Sequence, residues 1–260
     1  MEEYTPEQLS SLVKVRPENK TDHRFVLSRE DFLKERLQVI KSELVEIQRK
    51  HPEVLSLCLF GSMVKGTAHQ GSDIDGFLYV DSETVAQNEN SSEGGVVEYD
   101  KETNQTYLTE KIGNKYLTEL REGIKSKTTL EDKDVADIRV CPISEKIIDA
   151  EIANLLEFHR NMKKYNEDLD SWIADESKPE PTRPEHVSAS LGKMFHLDIG
   201  GGIRRYRKLF IDKLARLGDS GEKIWSSTIM GTEMLENNLS TDKAKHYPRT
   251  LAEASAVYAS

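Results

Sequence analysis

The chain is 260 residues long, with 32% charged side chains and a formal net charge of −10. That balance gives no global basic field to draw in nucleic acid, and no apolar run approaches the roughly 18 residues a membrane-spanning helix needs. The polar start Met1-Glu2-Glu3-Tyr4 is not the pattern of a secretory signal. Cys58 and Cys141 sit in apolar stretches and read as buried small hydrophobes in a reducing compartment, not as a disulfide or metal site. Cytoplasm is the expectation, and the length allows one large domain or two modest ones.

Residues 1–27 are polar and weakly patterned, and read as an N-terminal arm. Ser28-Arg29-Glu30-Asp31 has a hydroxyl at an N-cap position with an acid three residues on. Leu33, Leu37, Ile40, Leu44 and Ile47 then recur at helical spacing, predicting an amphipathic helix that stops before His51-Pro52.

The apolar run Leu55-Ser56-Leu57-Cys58-Leu59-Phe60 ends at Gly61-Ser62, which reads as a buried strand entering a tight turn. After ten intervening residues comes Asp73-Ile74-Asp75-Gly76-Phe77-Leu78-Tyr79-Val80. On a strand, positions i and i+2 share a face, so Asp73 and Asp75 are expected to point the same way. Two parallel carboxylates repel unless a cation sits between them, and hard oxygen ligands suit Mg²⁺. The Gly61-Ser62 turn offers backbone N–H groups and a hydroxyl to a phosphate. Together these are the parts needed to move a phosphoryl or nucleotidyl group.

The stretch from Phe60 to Asp75 resembles the signature of the DNA polymerase β-type nucleotidyltransferase superfamily: apolar strand, Gly-Ser, loop, then Ser72-Asp73-Ile74-Asp75. Its spacing is similar to that of the minimal nucleotidyltransferases and the antibiotic adenylyltransferases. The resemblance covers roughly residues 30–145, its specific part only 54–80. It implies an α+β fold, a small mixed β-sheet nucleotidyltransferase domain flanked by helices, with a C-terminal all-helical region. It also implies metal binding by Asp73 and Asp75 with two Mg²⁺ ions, phosphate binding by Gly61 and Ser62, and a basic residue near the phosphates at Lys65. His69, in the same loop, reads as an exposed histidine.

Beyond Val80 the polar residues 81–95, with Ser91-Ser92-Glu93-Gly94-Gly95, read as a loop. Val96–Tyr99 reads as a short strand, residues 107–124 as a helix, and Val135–Ile143 as a third strand. Asp137 stands in an apolar setting there, on the same face as Arg139. The superfamily uses a third carboxylate from a neighbouring strand; Asp137 is the position assigned to it, with Asp134 its rival and an edge-strand pairing with Arg139 the plainer alternative.

Ile147, Ile148, Ile152, Leu155, Leu156, His159 and Met162 mark a helix after Ser144. Residues 28–174 are thus expected to form the catalytic domain. Asp175 to Pro184 is a charged, proline-rich stretch, and 175–186 is expected to be a linker. Residues 187–240 would form a helical C-terminal domain, with segments near 187–197, 203–217 and 222–237, and 241–260 a frayed tail. Gly200-Gly201-Gly202 precedes a helix bearing Arg204, Arg207 and Lys208. No strand is expected before the triplet, so a dinucleotide site is not expected. The basic helix is either a solvated face or a patch meeting the triphosphate or an anionic acceptor.

The resemblance implies transfer of a nucleoside monophosphate, AMP from ATP by preference, to an acceptor hydroxyl with loss of pyrophosphate. Asp137 would share a second Mg²⁺ or act as general base. The acceptor expected is a small molecule of aminoglycoside type. The alternatives are a toxin–antitoxin module acting on a partner protein, an RNA nucleotidyltransferase (disfavoured by the acidic balance), and a non-catalytic binder.

Overall fold

The computed structural model describes residues 23–65, 68–69, 71–100, 105–175, 177–184, 190–229, 248 and 250–258. A long helix, α1 (His23–Lys50), leads into β1 (Val54–Leu59), the short α2 (Gly61–Lys65) and β2 (Gly76–Asp81). Next come α3 (Ser82–Asn88), α4 (Glu93–Val96), a hairpin of β3 (Val97–Asp100) and β4 (Gln105–Leu108), and α5 (Glu110–Ser126). A 3₁₀ turn (Asp132–Val135) precedes β5 (Ile138–Ile143), followed by the thirty-residue α6 (Glu145–Ala174). After the proline-rich stretch, a 3₁₀ segment (Ser190–Phe195) leads to β6 (Leu197–Ile199), α7 (Arg204–Arg216), α8 (Asp219–Lys223) with a π turn (Ile224–Ile229), and α9 (Leu251–Tyr258). None of the described helices is long and apolar enough to cross a membrane.

The main sheet has the order β5-β2-β1-β6. β2 is parallel to β5, and β1 is antiparallel to both β2 and β6. Strand alternation divides the core in two. Leu57, Leu59, Leu78, Val80, Ile138 and Val140 face α1 and α5, where they meet Leu37, Ile40, Leu44, Leu120 and Ile124. Cys58, Phe77, Tyr79, Cys141 and Ile143 face the other way, against Ile148, Leu155, Phe195, Phe210, Ile211 and Trp225. A sheet covered on both faces needs continuous apolar strands, which is why β1 and β2 read as runs and not as alternations. Both cysteines are free and buried.

Several elements differ from the sequence reading. α1 starts at His23, ahead of the Ser28 cap signal, while residues 1–22 lie outside the described residues. The expected loop 81–95 contains α3 and α4. Asp81 closes β2 and caps α3, its Oδ1 accepting from Thr84 N at 3.0 Å. The helix expected from 107 starts at Glu110, because Tyr107 and Leu108 pair with Glu98 and Val97 in the hairpin. Among the described residues after the proline stretch, the segment expected near 187–197 holds the 3₁₀ segment, and the one strand, β6, begins at its last residue, Leu197; residues 185–189 are outside the described residues. β6 zips onto the open edge of β1, Leu197 opposite Leu59 and Ile199 opposite Leu57.

The helix expected at 222–237 is described only to Ile229, as α8 and the π turn. Of the expected tail, residues 241–247, 249, 259 and 260 lie outside the described residues. Residues 251–258 form α9, which buries Leu251 and Ala254 and brings Tyr258 onto Phe195, ring centroids 5.1 Å apart.

Candidate active site

Asp73 and Asp75 do not lie within a strand. They occupy the irregular segment just before β2, which starts at Gly76. The alternation survives nonetheless: Ile74 between them is fully buried, while both aspartates are half-buried. Three backbone hydrogen bonds fix this segment. Phe60 N donates to Asp75 O at 3.1 Å, Ile74 N to Asp134 O at 2.7 Å, and Gly76 N to Asp137 O at 3.5 Å. The second and third stitch the aspartate segment to the turn before β5, bringing in a third acid. One carboxylate oxygen each from Asp73, Asp75 and Asp137 lies within 4.8 Å of the other two.

Asp137 is the exposed member of the three and sits one residue before β5, not on it. Its rival Asp134 is occupied otherwise: its side chain accepts from Glu131 N at 2.8 Å and completes a capping box on the 3₁₀ turn.

Gly61 has φ of +66°, in the left-handed region that glycine favours. A Cβ on it would lie 2.5 Å from Asp75 Cγ and overlap the carboxylate itself. Ser62, the next residue, has a buried Oγ without a hydrogen-bond partner among the described residues. Its carbonyl accepts from Ala68 N at 3.1 Å, closing the loop that leads to the aspartates. Ser72 fixes the far end of this loop, accepting at Oγ from His69 N at 2.8 Å. The exposed His69 takes Gly71 N at Nδ1, 3.2 Å away, a local turn contact. Lys65 ends α2, and its side chain is outside the described residues.

Two arginines that the sequence reading did not single out stand behind the acids. Arg36 of α1 is 2% exposed and donates from Nη1 to Ser72 O at 2.7 Å. Burial lowers its pKa to about 10, against the opposing charges of Asp134 and Asp73, so it stays protonated at neutral pH. Arg121 of α5 donates from Nη2 to both Ala136 O and Ile138 O, each at 2.7 Å. The signal for Arg36 was present: it falls on the stripe of Leu33, Leu37 and Ile40, where a buried cation needs a reason.

The basic helix does not meet this site as one patch. Arg207 is buried, donates to Met194 O at 2.5 Å and His196 O at 3.2 Å, and pairs with Asp198 at 3.3 Å. Lys208 points outward and pairs with Asp212 at 3.1 Å. Arg205 pairs with Asp81, whose Oδ2 also accepts from the Tyr206 hydroxyl at 3.0 Å. Nor is the glycine triplet a phosphate loop. Gly200 and Gly201 have positive φ, and Gly202 lies too close to Leu55 O for any Cβ. The backbone N–H groups of Gly201 and Ile203 are taken by Asp198 Oδ1 and Ser56 Oγ, both at 3.2 Å. Among the described residues of the C-terminal region, Lys193 places its Nζ 5.1 Å above the ring of Phe60, the residue before Gly61.

Three carboxylates within this span suit a divalent cation. Hard carboxylate oxygens this close together are the donor type that Mg²⁺ takes. Residues 37–153 match the model of the nucleotidyltransferase domain family, and this match supports assigning that stretch to the nucleotidyltransferase superfamily. The match spans α1 from Leu37 through β5 and the start of α6, and so contains every acid of the cluster. Comparison with curated proteins and with solved structures gave no match.

Proposed function

We propose that the chain transfers a nucleoside monophosphate, AMP from ATP by preference, to a hydroxyl of a small cationic acceptor of aminoglycoside type, releasing pyrophosphate. The observation that carries this reading is the convergence of Asp73, Asp75 and Asp137 beside a positive-φ glycine and a serine whose buried hydroxyl has no partner among the described residues. A buried hydroxyl left unpaired costs about 1–3 kcal/mol, and a phosphate oxygen is the partner that would recover it.

Asp73 and Asp75 would hold Mg²⁺, with a second ion shared with Asp137; the metal supplies charge neutralisation at the phosphates and the leaving pyrophosphate. Ser62 Oγ and the N–H groups of the turn receive the terminal phosphates. Where it does not share the second ion, Asp137, the most exposed acid, instead takes the proton of the acceptor hydroxyl as general base. The acceptor oxygen bonds to the α-phosphorus as the bond to the bridging oxygen breaks, and the electron pair leaves with pyrophosphate. Most of the acceleration then comes from orientation and fixed charge.

The net charge of −10 favours a cationic acceptor over nucleic acid, and the two buried free cysteines suit a reducing, cytoplasmic setting. The test is incubation with α-labelled ATP, GTP, CTP and UTP plus Mg²⁺ against aminoglycosides, RNA and cell-lysate proteins. Label on the small molecules supports the full reading. Label confined to protein or RNA replaces the acceptor, and no label from any nucleotide overturns the transferase reading.

A further inference from the structure

The acid that enters the cluster last in the chain is also the least supported by its own surroundings. Asp137 is exposed and lies between the end of the 3₁₀ turn and the first residue of β5, where strand pairing has only begun. An exposed side chain on such a junction is held in place only as well as its backbone is. Asp137 O accepts only a long bond from Gly76 N, 3.5 Å, and one side chain holds the carbonyls on either side of it. Arg121, on the last turns of α5, donates from the same nitrogen, Nη2, to the carbonyls immediately before and after Asp137, 2.7 Å to each.

This is an asymmetric arrangement for a helix-surface arginine. Its Nε is buried without a hydrogen-bond partner among the described residues. Burial lowers its basicity, while the charges of Asp137 and Asp132 oppose that effect. Arg36 does the equivalent on the other side: it holds Ser72 O, the carbonyl just before Asp73, and feels the Asp73 charge. Each arginine therefore grips the main chain next to a clustered acid and leaves that acid's oxygens free to meet a ligand.

We propose that Arg121 is a positioning residue, which fixes Asp137 at the cluster by clamping Ala136 and Ile138. The proposal rests on the metal-binding reading of the three acids. It distinguishes geometry from charge: both bonds leave Nη2, whose two hydrogens have fixed directions in the guanidinium plane, and a lysine at 121 keeps the cation on a shorter stem without that fixed pair. Removal of charge alone would favour a bound cation, whereas loss of the clamp disfavours it.

The experiment measures Mn²⁺ affinity without nucleotide, by titration calorimetry or electron paramagnetic resonance, together with Tm, kcat and the nucleotide KM. It compares the full chain with Arg121→Ala, Arg121→Lys, Asp137→Asn and the two double variants that combine them. Both Arg121 variants should weaken Mn²⁺ binding by about tenfold, in line with other residues that orient metal ligands. They should lower kcat with the nucleotide KM little changed, and the Mn²⁺ loss should vanish in the Asp137→Asn background. Wild-type Mn²⁺ affinity in Arg121→Ala, full rescue by Arg121→Lys, or an equal loss in the Asp137→Asn background would each overturn the assignment. A wild-type chain that binds no Mn²⁺ overturns the metal reading and this proposal together, while one that binds Mn²⁺ but transfers no label overturns the transferase reading alone.

Discussion

The carboxylate of Asp75 occupies the space in which any side chain on Gly61 would have to sit, 2.5 Å from Asp75 Cγ to the position of a Cβ. The turn and the cluster are therefore one unit: the glycine that bends the chain out of β1 also makes room for an acid fourteen residues later. Gly61→Ala meets two costs, about 1–2 kcal/mol for a left-handed conformation and displacement of Asp75. Activity should suffer far more than stability, since a shift of about 1 Å at a reacting centre costs on the order of 100-fold. Turnover within a few-fold of wild type would mean that Asp75 need not stand where it does.

Ser62→Ala separates a binding role from a packing role. The hydroxyl has no partner among the described residues, so its removal should leave Tm unchanged or slightly higher. A hydrogen bond to a charged phosphate is worth about 1.5–3 kcal/mol, so the nucleotide KM should rise about tenfold or more. Steady-state kinetics beside a thermal melt decides it; a lower Tm with an unchanged KM would make the serine structural.

The C-terminal region should not be separable. Ending the chain at Ile173 removes β6 from the edge of β1, and takes Phe195, Phe210, Ile211 and Trp225 from the core beneath Phe77 and Tyr79. Four such side chains stand for roughly 6–12 kcal/mol of burial, against a typical total stability of about 5–15 kcal/mol. The shortened chain should show no cooperative thermal unfolding by calorimetry. In the full chain, Arg207→Ala strands Asp198 and two carbonyls and should cost about 3–5 kcal/mol. A truncated chain that melts cooperatively near the wild-type Tm would contradict the shared core.

The acid range has its own signature. Hydrogen bonds from His51 and Lys50 hold the Glu119 pKa below its ordinary value of 4.5. A folded-state pKa below the unfolded one adds stability above the unfolded pKa, and that stability is lost as pH falls through the folded value. Wild type should therefore exceed Glu119→Gln in urea midpoint at about pH 6, and the gap should close well below pH 4.5. Equal gaps at both pH values would show that the ionised carboxylate does not carry the difference.

What could be read from the sequence was local. Phe60-Gly61-Ser62 and Asp73-Ile74-Asp75 state their geometry in adjacent residues, and the alternation of Asp73, Ile74 and Asp75 holds even outside a ladder. Asp137 could be found because an acid interrupts an apolar run. What was missed depends on partners distant in the chain. Leu197–Ile199 is a strand only because β1 has an open edge. Arg207 looks solvated until Asp198 and the 3₁₀ carbonyls close around it. The α3 helix was hidden because Ser82–Asn88 is polar and its start signal, Asp81, doubles as the end of β2. Arg121 gave no signal, since a charged residue on an amphipathic helix is ordinary until its carbonyl partners are known.

The central claim, that Asp73 and Asp75 hold a metal for nucleotidyl transfer, is tested most directly by pyrophosphate release with saturating Mg²⁺ in wild type, Asp73→Asn and Asp75→Asn, each checked by a thermal melt. Removing one of two facing carboxylates relieves repulsion, so Tm should hold or rise. Loss of several kcal/mol of transition-state stabilisation should lower kcat/KM by at least about 1,000-fold. Near-wild-type release by either folded variant would contradict the account.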